Sequence, residues 1–202
     1  MRLFVTRHGQ TDWNLERRLQ GWADNPINET GIKQALLLRE QIREIPFDIC
    51  YSSSLLRAAT TAQILMGYKK NSDGAKPICP IRYDKRIRER GFGKIDSLVE
   101  TEVRDFVYHE SWDLDLNSGK FGIEPIRTIY KRVYEFYHEE IPKVKAEFGD
   151  DATVLIVTHG GASRVLNYVI LGGGMVPDRN SEVWRKAQDF VLHNCQLVEY
   201  KI

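Results

Sequence analysis

Cysteine is scarce in this chain of 202 residues: Cys50, Cys79 and Cys195 are the three, far apart, odd in number and without a CxxC pair. That excludes a disulfide scaffold or a zinc ribbon and fits reduced thiols in a cytosolic protein. A surplus of either charge is missing too. Lys plus Arg total 29 against 28 Asp plus Glu, a formal net charge of +1, so no global field draws the chain to nucleic acid or anionic lipid. Any affinity for anions must come from a local cluster. No apolar stretch approaches membrane-spanning length, and the chain starts on a strand pattern rather than a basic region followed by an apolar run and a cleavage site. A soluble, cytoplasmic protein with no membrane or nucleic-acid partner is expected. Internal repeats and low-complexity segments are absent as well.

What is present is enough apolar material for a full core. With 42% hydrophobic and 28% charged residues, the chain suits one compact domain over 1–202 with a small inserted lobe. Apolar, β-branched-rich runs at Leu3–Thr6, Ile49–Tyr51, Ile78–Ile81, Thr153–Thr158 and Gln196–Ile202 predict strands, several so uniformly apolar that they suit a sheet buried on both faces. Between them, Asn28 is placed to cap a helix with Ile32, Ala35, Leu36 and Ile42 on one face, and Ser53 one containing Leu56, Ala59, Ala62, Ile64 and Leu65. The alternation predicts an α/β three-layer sandwich, a mostly parallel central sheet with helices on both faces. Residues from about 91 to 151 break the rhythm as an inserted helical, cap-like lobe. It includes a loop-like Asn117-Ser118-Gly119 and a long amphipathic helix with Ile126, Ile129, Tyr130, Val133, Phe136 and Tyr137 on one side, which Pro142 should kink or end.

Ligands of open α/β sheets sit beyond the carboxyl ends of the strands, and three motifs fall there. Arg7-His8-Gly9-Gln10-Thr11 follows the first strand, Ser52 through Arg57 the second, and Thr158-His159-Gly160-Gly161 the strand starting at Thr153. Glu89, within Ile87-Arg88-Glu89-Arg90-Gly91-Phe92-Gly93, adds a carboxylate. Singly, each is an ordinary structural residue or surface charge; together they place two histidines, arginines and a glutamate around one crevice. Two histidines and a carboxylate could hold zinc or iron. Yet Arg7 and Arg57 would set fixed positive charge against a dication, and HxH or HExxH spacing is lacking, so metal binding is the weaker reading. The same arginines suit a phosphate dianion. An imidazole beside them is held neutral by their charge and is a competent nucleophile, with a carbonyl near Gly9 available to take its other ring N–H.

These residues resemble the histidine phosphatase superfamily in its phosphoglycerate-mutase-like branch. The matching features are Arg7-His8-Gly9-Gln10-Thr11 with Asn14, Gln20-Gly21 through Pro26, Gly31 with Gln34-Ala35, Ser53 through Arg57-Ala58 with Thr61-Ala62, Glu89 with Phe92-Gly93, Val157 through Gly161, and Asn194-Cys195. The resemblance implies phosphoryl transfer in two steps through a covalent phosphohistidine on His8. Arg7, Arg57 and His159, helped by Asn14, would hold the phosphoryl oxygens. Glu89 would be general acid and then base. Gln20, Gly21, Arg90 and Gly160 complete the implied substrate-binding set. No metal or cofactor is implied, and the partner is a small-molecule phosphomonoester; oligomeric state is left open.

Between hydrolysis and mutase chemistry, the sequence leans to hydrolysis. Glu89 through Gly93 partly resembles the mutase segment, with Arg90 in the position of a substrate-binding arginine. Phe92, however, replaces the usual tyrosine, and the paired arginines and proline run of mutases are missing. The short lobe resembles phosphatases in its 119–132 region, although Ile95, Asp96 and Ser97 stand where phosphatases often have tryptophan, glutamate and glycine. Phosphomonoester hydrolysis is the expectation, cofactor-dependent mutase-type transfer the alternative, and a phosphate-binding pseudoenzyme the lesser one. Trp13 is expected to pack, Trp22 to pack or make a specificity contact, and His109, His138 and His193 to be structural. Trp112 is left between crevice lining and packing.

Overall fold

Strand β1 (Arg2–Arg7) sits near the centre of a five-stranded sheet in the computed structural model, which describes residues 1–67, 78–105 and 120–202. The other strands are β2 (Ile49–Ser53), β3 (Ile81–Asp84), β4 (Thr153–Thr158) and β5 (Leu197–Lys201), in spatial order β3-β2-β4-β1-β5. All neighbours are parallel except β5, which runs antiparallel to β1.

Alternation along the strands divides the core into two layers. Leu3, Val5, Ile49, Tyr51, Val154 and Ile156 face one side, where α5 (Ile126–Phe148) and α6 (Gly160–Ile170) contribute Tyr130, Val133, Phe136 and Leu166. Phe4, Cys50, Leu155 and Val157 face the other, against Leu38 and Ile42 of α2 (Glu29–Ile42) and Ala58, Ala62 and Leu65 of α3 (Leu56–Leu65). The fold is thus the expected α/β sandwich with a mostly parallel sheet. Shorter helices are α1 (Asp12–Leu15), α4 (Glu100–Asp105) and α7 (Glu182–Gln188). No helix among the described residues is long and apolar enough to cross a membrane.

Several local expectations are corrected. β3 begins at Ile81, three residues after the predicted Ile78, because Pro80 has no N–H for the ladder and offers its carbonyl to Cys50 N instead (3.0 Å). In α2, capped by Asn28 as expected, Ile32 and Leu36 are 41% and 39% exposed, while Gly31, Ala35, Leu38 and Ile42 face inward. Ser53 does not cap α3. Leu55 is the capping residue, and Asp24 from a distant loop accepts from Leu56 N at 2.5 Å. Pro142 does not end α5, which runs on to Phe148 as part of the sandwich. In the expected lobe, Ile95, Val103 and Ile123 form a small core of their own. His109, Trp112 and Asn117-Ser118-Gly119 lie outside the described residues.

Candidate active site

β1 delivers His8 to the carboxyl edge of the sheet, where its N–H donates to Thr158 O of β4 (3.0 Å). The ring is buried, and its Nδ1 lies 2.8 Å from the carbonyl oxygen of Gly9. A carbonyl only accepts, so Nδ1 carries the proton and Nε2 the lone pair. Burial, and then the charges of Arg57 and Arg7, hold the ring well below the usual histidine pKa, so it is neutral at pH 7. Three neighbours fix the backbone here. Gly9 N donates to Thr61 Oγ1 (3.0 Å), Gln10 N to Gln34 Oε1 (2.9 Å), and Asn194 Nδ2 to His8 O (2.8 Å).

His159, at the end of β4, has its ring centroid 5.1 Å from that of His8. Its Nε2 lies 2.8 Å from Ser53 Oγ, which also accepts from Leu55 N. With the serine hydroxyl donating to Nε2, His159 carries its proton on Nδ1. Burial first, then Arg57, depresses its pKa well below the ordinary value. Arg57 is fully buried and spends its four terminal N–H groups on the 20–25 loop: Nη1 on Ala23 O and Asn25 Oδ1, Nη2 on Gln20 O and Gly21 O. Burial pushes its pKa down to about 10, which leaves it cationic at neutral pH. Arg7 Nη1 donates to Leu192 O (3.3 Å), and its guanidinium packs against Gly160. Arg7 Nε, Arg57 Nε and His159 Nδ1 are buried with no partner among the described residues. Buried polar groups are normally bonded, so three vacant donors around one neutral imidazole are the capacity an oxyanion would fill.

Glu89 reaches the N-terminus of α6. Its Oε1 accepts from Arg90 N (2.9 Å) and Ala162 N (3.1 Å), its Oε2 from Gly161 N (2.9 Å). A Cβ at Gly161 would stand 2.5 Å from Oε1, so only glycine admits the carboxylate there. Asn14 is held by reciprocal bonds with Thr11, each 3.1 Å, the cap of α1.

A cavity of about 360 Å³ opens onto part of this cluster; Arg57 and His159, both fully buried, are not among its lining residues. Arg7, His8, Asn14 and Glu89 form its polar part, with Gln20, Arg90 and Gly160 also in the wall; Leu19, Phe92, Ile126, Ile129, Tyr130 and Val165 form its apolar part. Gly21 stands outside that wall, its N–H on Asp96 Oδ1 (2.6 Å) and its carbonyl on Arg57. Trp13, expected to pack, lines the cavity. Trp22 instead donates its Nε1 to the backbone carbonyl of Glu89 (2.8 Å). His138 packs on Tyr134 and Tyr137, and His193 N donates to Gln196 Oε1.

Three features escaped the sequence reading. Asp96 gathers the amides of the 21–23 loop, Arg17 and Arg18 join the cavity rim, and a buried Glu124–Arg132 pair underlies the Glu89 segment. An Asp-Ser pair three residues after Gly93, or a Glu and Arg eight apart flanking the start of a helix, is too common to have singled them out. Among the described residues, no group of three or more His, Cys, Asp or Glu could hold a metal ion.

Comparison with known proteins gives a consistent result. The sequence model of the histidine phosphatase superfamily (branch 1) matches residues 3–199. A 2,3-bisphosphoglycerate-dependent phosphoglycerate mutase of Cytophaga hutchinsonii is 32% identical over 167 residues, 81% of this chain and 74% of the relative. One from Gloeobacter violaceus is 29% identical over 168 residues, 81% and 73% of the two chains. Among solved structures, a mycobacterial hydrolase (hydrolase 1) superposes with a TM-score of 0.76 at 25% identity over 98% of this chain and 87% of that one. A mycobacterial glucosyl-3-phosphoglycerate phosphatase complexed with VO3 gives 0.76 at 23% identity, covering 98% and 90%, a likeness of fold alone.

Proposed function

This chain belongs to the histidine phosphatase superfamily, and from that premise we propose that it hydrolyses small phosphomonoesters through a covalent phosphohistidine on His8. The observation that carries the reading is the Nδ1 contact of His8 with Gly9 O. It leaves a neutral ring with its Nε2 lone pair free, among guanidinium groups that keep their protons at neutral pH.

In the first step Nε2 forms a bond to phosphorus as the bond to the ester oxygen breaks, and Glu89 gives its proton to that oxygen. In the second, water attacks phosphorus, Glu89 takes the water's proton, the P–N bond breaks and inorganic phosphate leaves. Arg7, Arg57 and His159 Nδ1, with Asn14, hold the phosphoryl oxygens and offset charge in both transition states. Gln20, Arg90 and Gly160 line the approach, and Gly21 supports Arg57 from behind. The apolar part of the cavity, Leu19, Ile126, Ile129 and Val165, suits a leaving group with a hydrocarbon face better than a glycerate carboxylate, which favours hydrolysis.

A second reading, mutase-type transfer, is supported by the names of the curated relatives and by Arg90, a buried cation in the cavity wall. The hydrolytic route as written uses this chain's side chains and water, whereas the mutase route would need 2,3-bisphosphoglycerate to prime it. We read residues 1–202 as one domain and its setting as the cytosol. Release of p-nitrophenol from p-nitrophenyl phosphate in the presence of EDTA tests the hydrolytic route. Chelator-sensitive release would replace it with metal catalysis, and no release from any phosphomonoester would leave a binding module. Isomerisation of 3-phosphoglycerate primed with 2,3-bisphosphoglycerate, outpacing hydrolysis, would establish the mutase.

A further inference from the structure

We propose that Arg132, with Glu124 and Trp22, positions the general acid by gripping the backbone that carries Glu89. The proposal rests on Glu89 being that acid.

All five N–H groups of Arg132 are committed. Nε and Nη2 pair with Glu124 at 2.7 and 2.8 Å, Nη1 donates to the carbonyls of Arg86 and Arg88 at 2.6 and 2.7 Å, and Nη2 also donates to the carbonyl of Glu89 at 2.9 Å. Glu124 holds the far side of the same turn. Its Oε2 accepts from Gly91 N (3.1 Å), its backbone N–H donates to Gly91 O (2.8 Å), and its carbonyl accepts from Arg90 Nε (2.9 Å). The two side chains are only 12% and 4% exposed, so the fork geometry of a guanidinium is held in a place where water does not compete. Trp22 Nε1 adds a second donor to the Glu89 carbonyl at 2.8 Å, and Arg88 lies over the indole.

A carboxyl group can pass its proton to a leaving oxygen only across about 2.6–3.2 Å. The outer end of Glu89 is located by the amides of Gly161 and Ala162, and Arg132 locates the inner end. Three carbonyls, those of Arg86, Arg88 and Glu89, converge on one guanidinium, and the last of them belongs to the residue that must not drift.

The test is leaving-group dependence. Proton donation matters most for a poor leaving group such as an alkoxide and least for p-nitrophenolate. Arg132→Lys keeps the charge opposite Glu124 but replaces the fork with a point donor. For an alkyl phosphate such as glycerol phosphate its kcat/KM, which reads only transfer to His8 and not the shared hydrolysis of the phosphoenzyme, is expected to fall about 10–100-fold, while that for p-nitrophenyl phosphate falls less than about threefold. Glu89→Gln should show the same selectivity at larger amplitude. Trp22→Phe, at a half-exposed position that keeps an aromatic ring under Arg88, should show it at smaller amplitude and decides the matter if Arg132→Lys does not fold. Equal losses on both substrates, or none, in the folded variants would overturn the positioning role while leaving Glu89 in place. A Glu89→Gln enzyme without the selectivity would instead overturn the acid assignment and the proposal with it.

Discussion

Gly9 and Gly31 meet backbone to backbone: a Cβ on Gly9 would lie 2.6 Å from the Gly31 carbonyl oxygen, and one on Gly31 would press even closer on that of Gln10. The start of α2 is therefore wedged against the loop whose Gly9 carbonyl fixes the tautomer of His8. Glycine at both positions is a condition of close approach, independent of backbone angle.

Gly31→Ala should accordingly destabilise the protein, although alanine normally favours a helix. Overpacking against rigid backbone is expected to cost about 2–4 kcal/mol, read from urea denaturation, and to lower kcat as the His8 loop shifts. A neutral or stabilising substitution would mean that the wedge has slack.

His8→Ala should abolish turnover and the phosphoenzyme together. Quenching under alkaline conditions and weighing the protein should reveal a phosphoryl adduct on the parent enzyme and none on the variant. Full activity in purified His8→Ala would remove the nucleophile assignment.

Arg57→Ala should raise KM and lower kcat together, because the guanidinium acts in ground and transition states alike. It also strips the 20–25 loop of the bonds to Ala23, Asn25, Gln20 and Gly21, so a stability loss of about 2–5 kcal/mol is expected as buried acceptors go unpaired. Unchanged catalytic efficiency would take Arg57 out of the site.

Stability should fall below pH 6.5 on account of two rings. His8 and His159 are held well below the ordinary pKa in the folded state, whereas in the unfolded chain they take up protons as the pH drops through about 6.5. Unfolding therefore gains protons, and stability, full above that value, declines by up to about 2.7 kcal/mol per pH unit for the two groups until the folded-state values are reached. Denaturant titrations at pH 7 and 5.5 measure the slope. A His159→Gln variant should show about half of it, and an equal slope would show that other groups set it.

The sheet, its two layers of helices and the strand-end histidines were legible because uniformly apolar runs and glycine-flanked histidines are local signals. What stayed hidden depends on partners far along the chain. The start of β3 is decided by Pro80 and its bond to Cys50, and the first N–H of α3 is taken up by the distant Asp24 rather than by Ser53 nearby. The inward face of α2 is set by the Gly31 wedge, which turns Ile32 and Leu36 outward. Arg57 could be assigned to the site from its motif, but its hold on the 20–25 loop could not. Trp22 and Arg132 act on a backbone carbonyl, an acceptor every residue owns, so nothing in their spacing marked Glu89 as the target.

Asn194 supports the carbonyl of His8 from 186 positions further along, and β5 pairs with β1 directly after it. β1 thus depends on a segment far along the chain before the His8 loop has a finished seat. A chain cut short of Asn194 should be inert however much of the sandwich has formed, so any activity gained during folding would report the docking of that distant segment rather than formation of β1 itself.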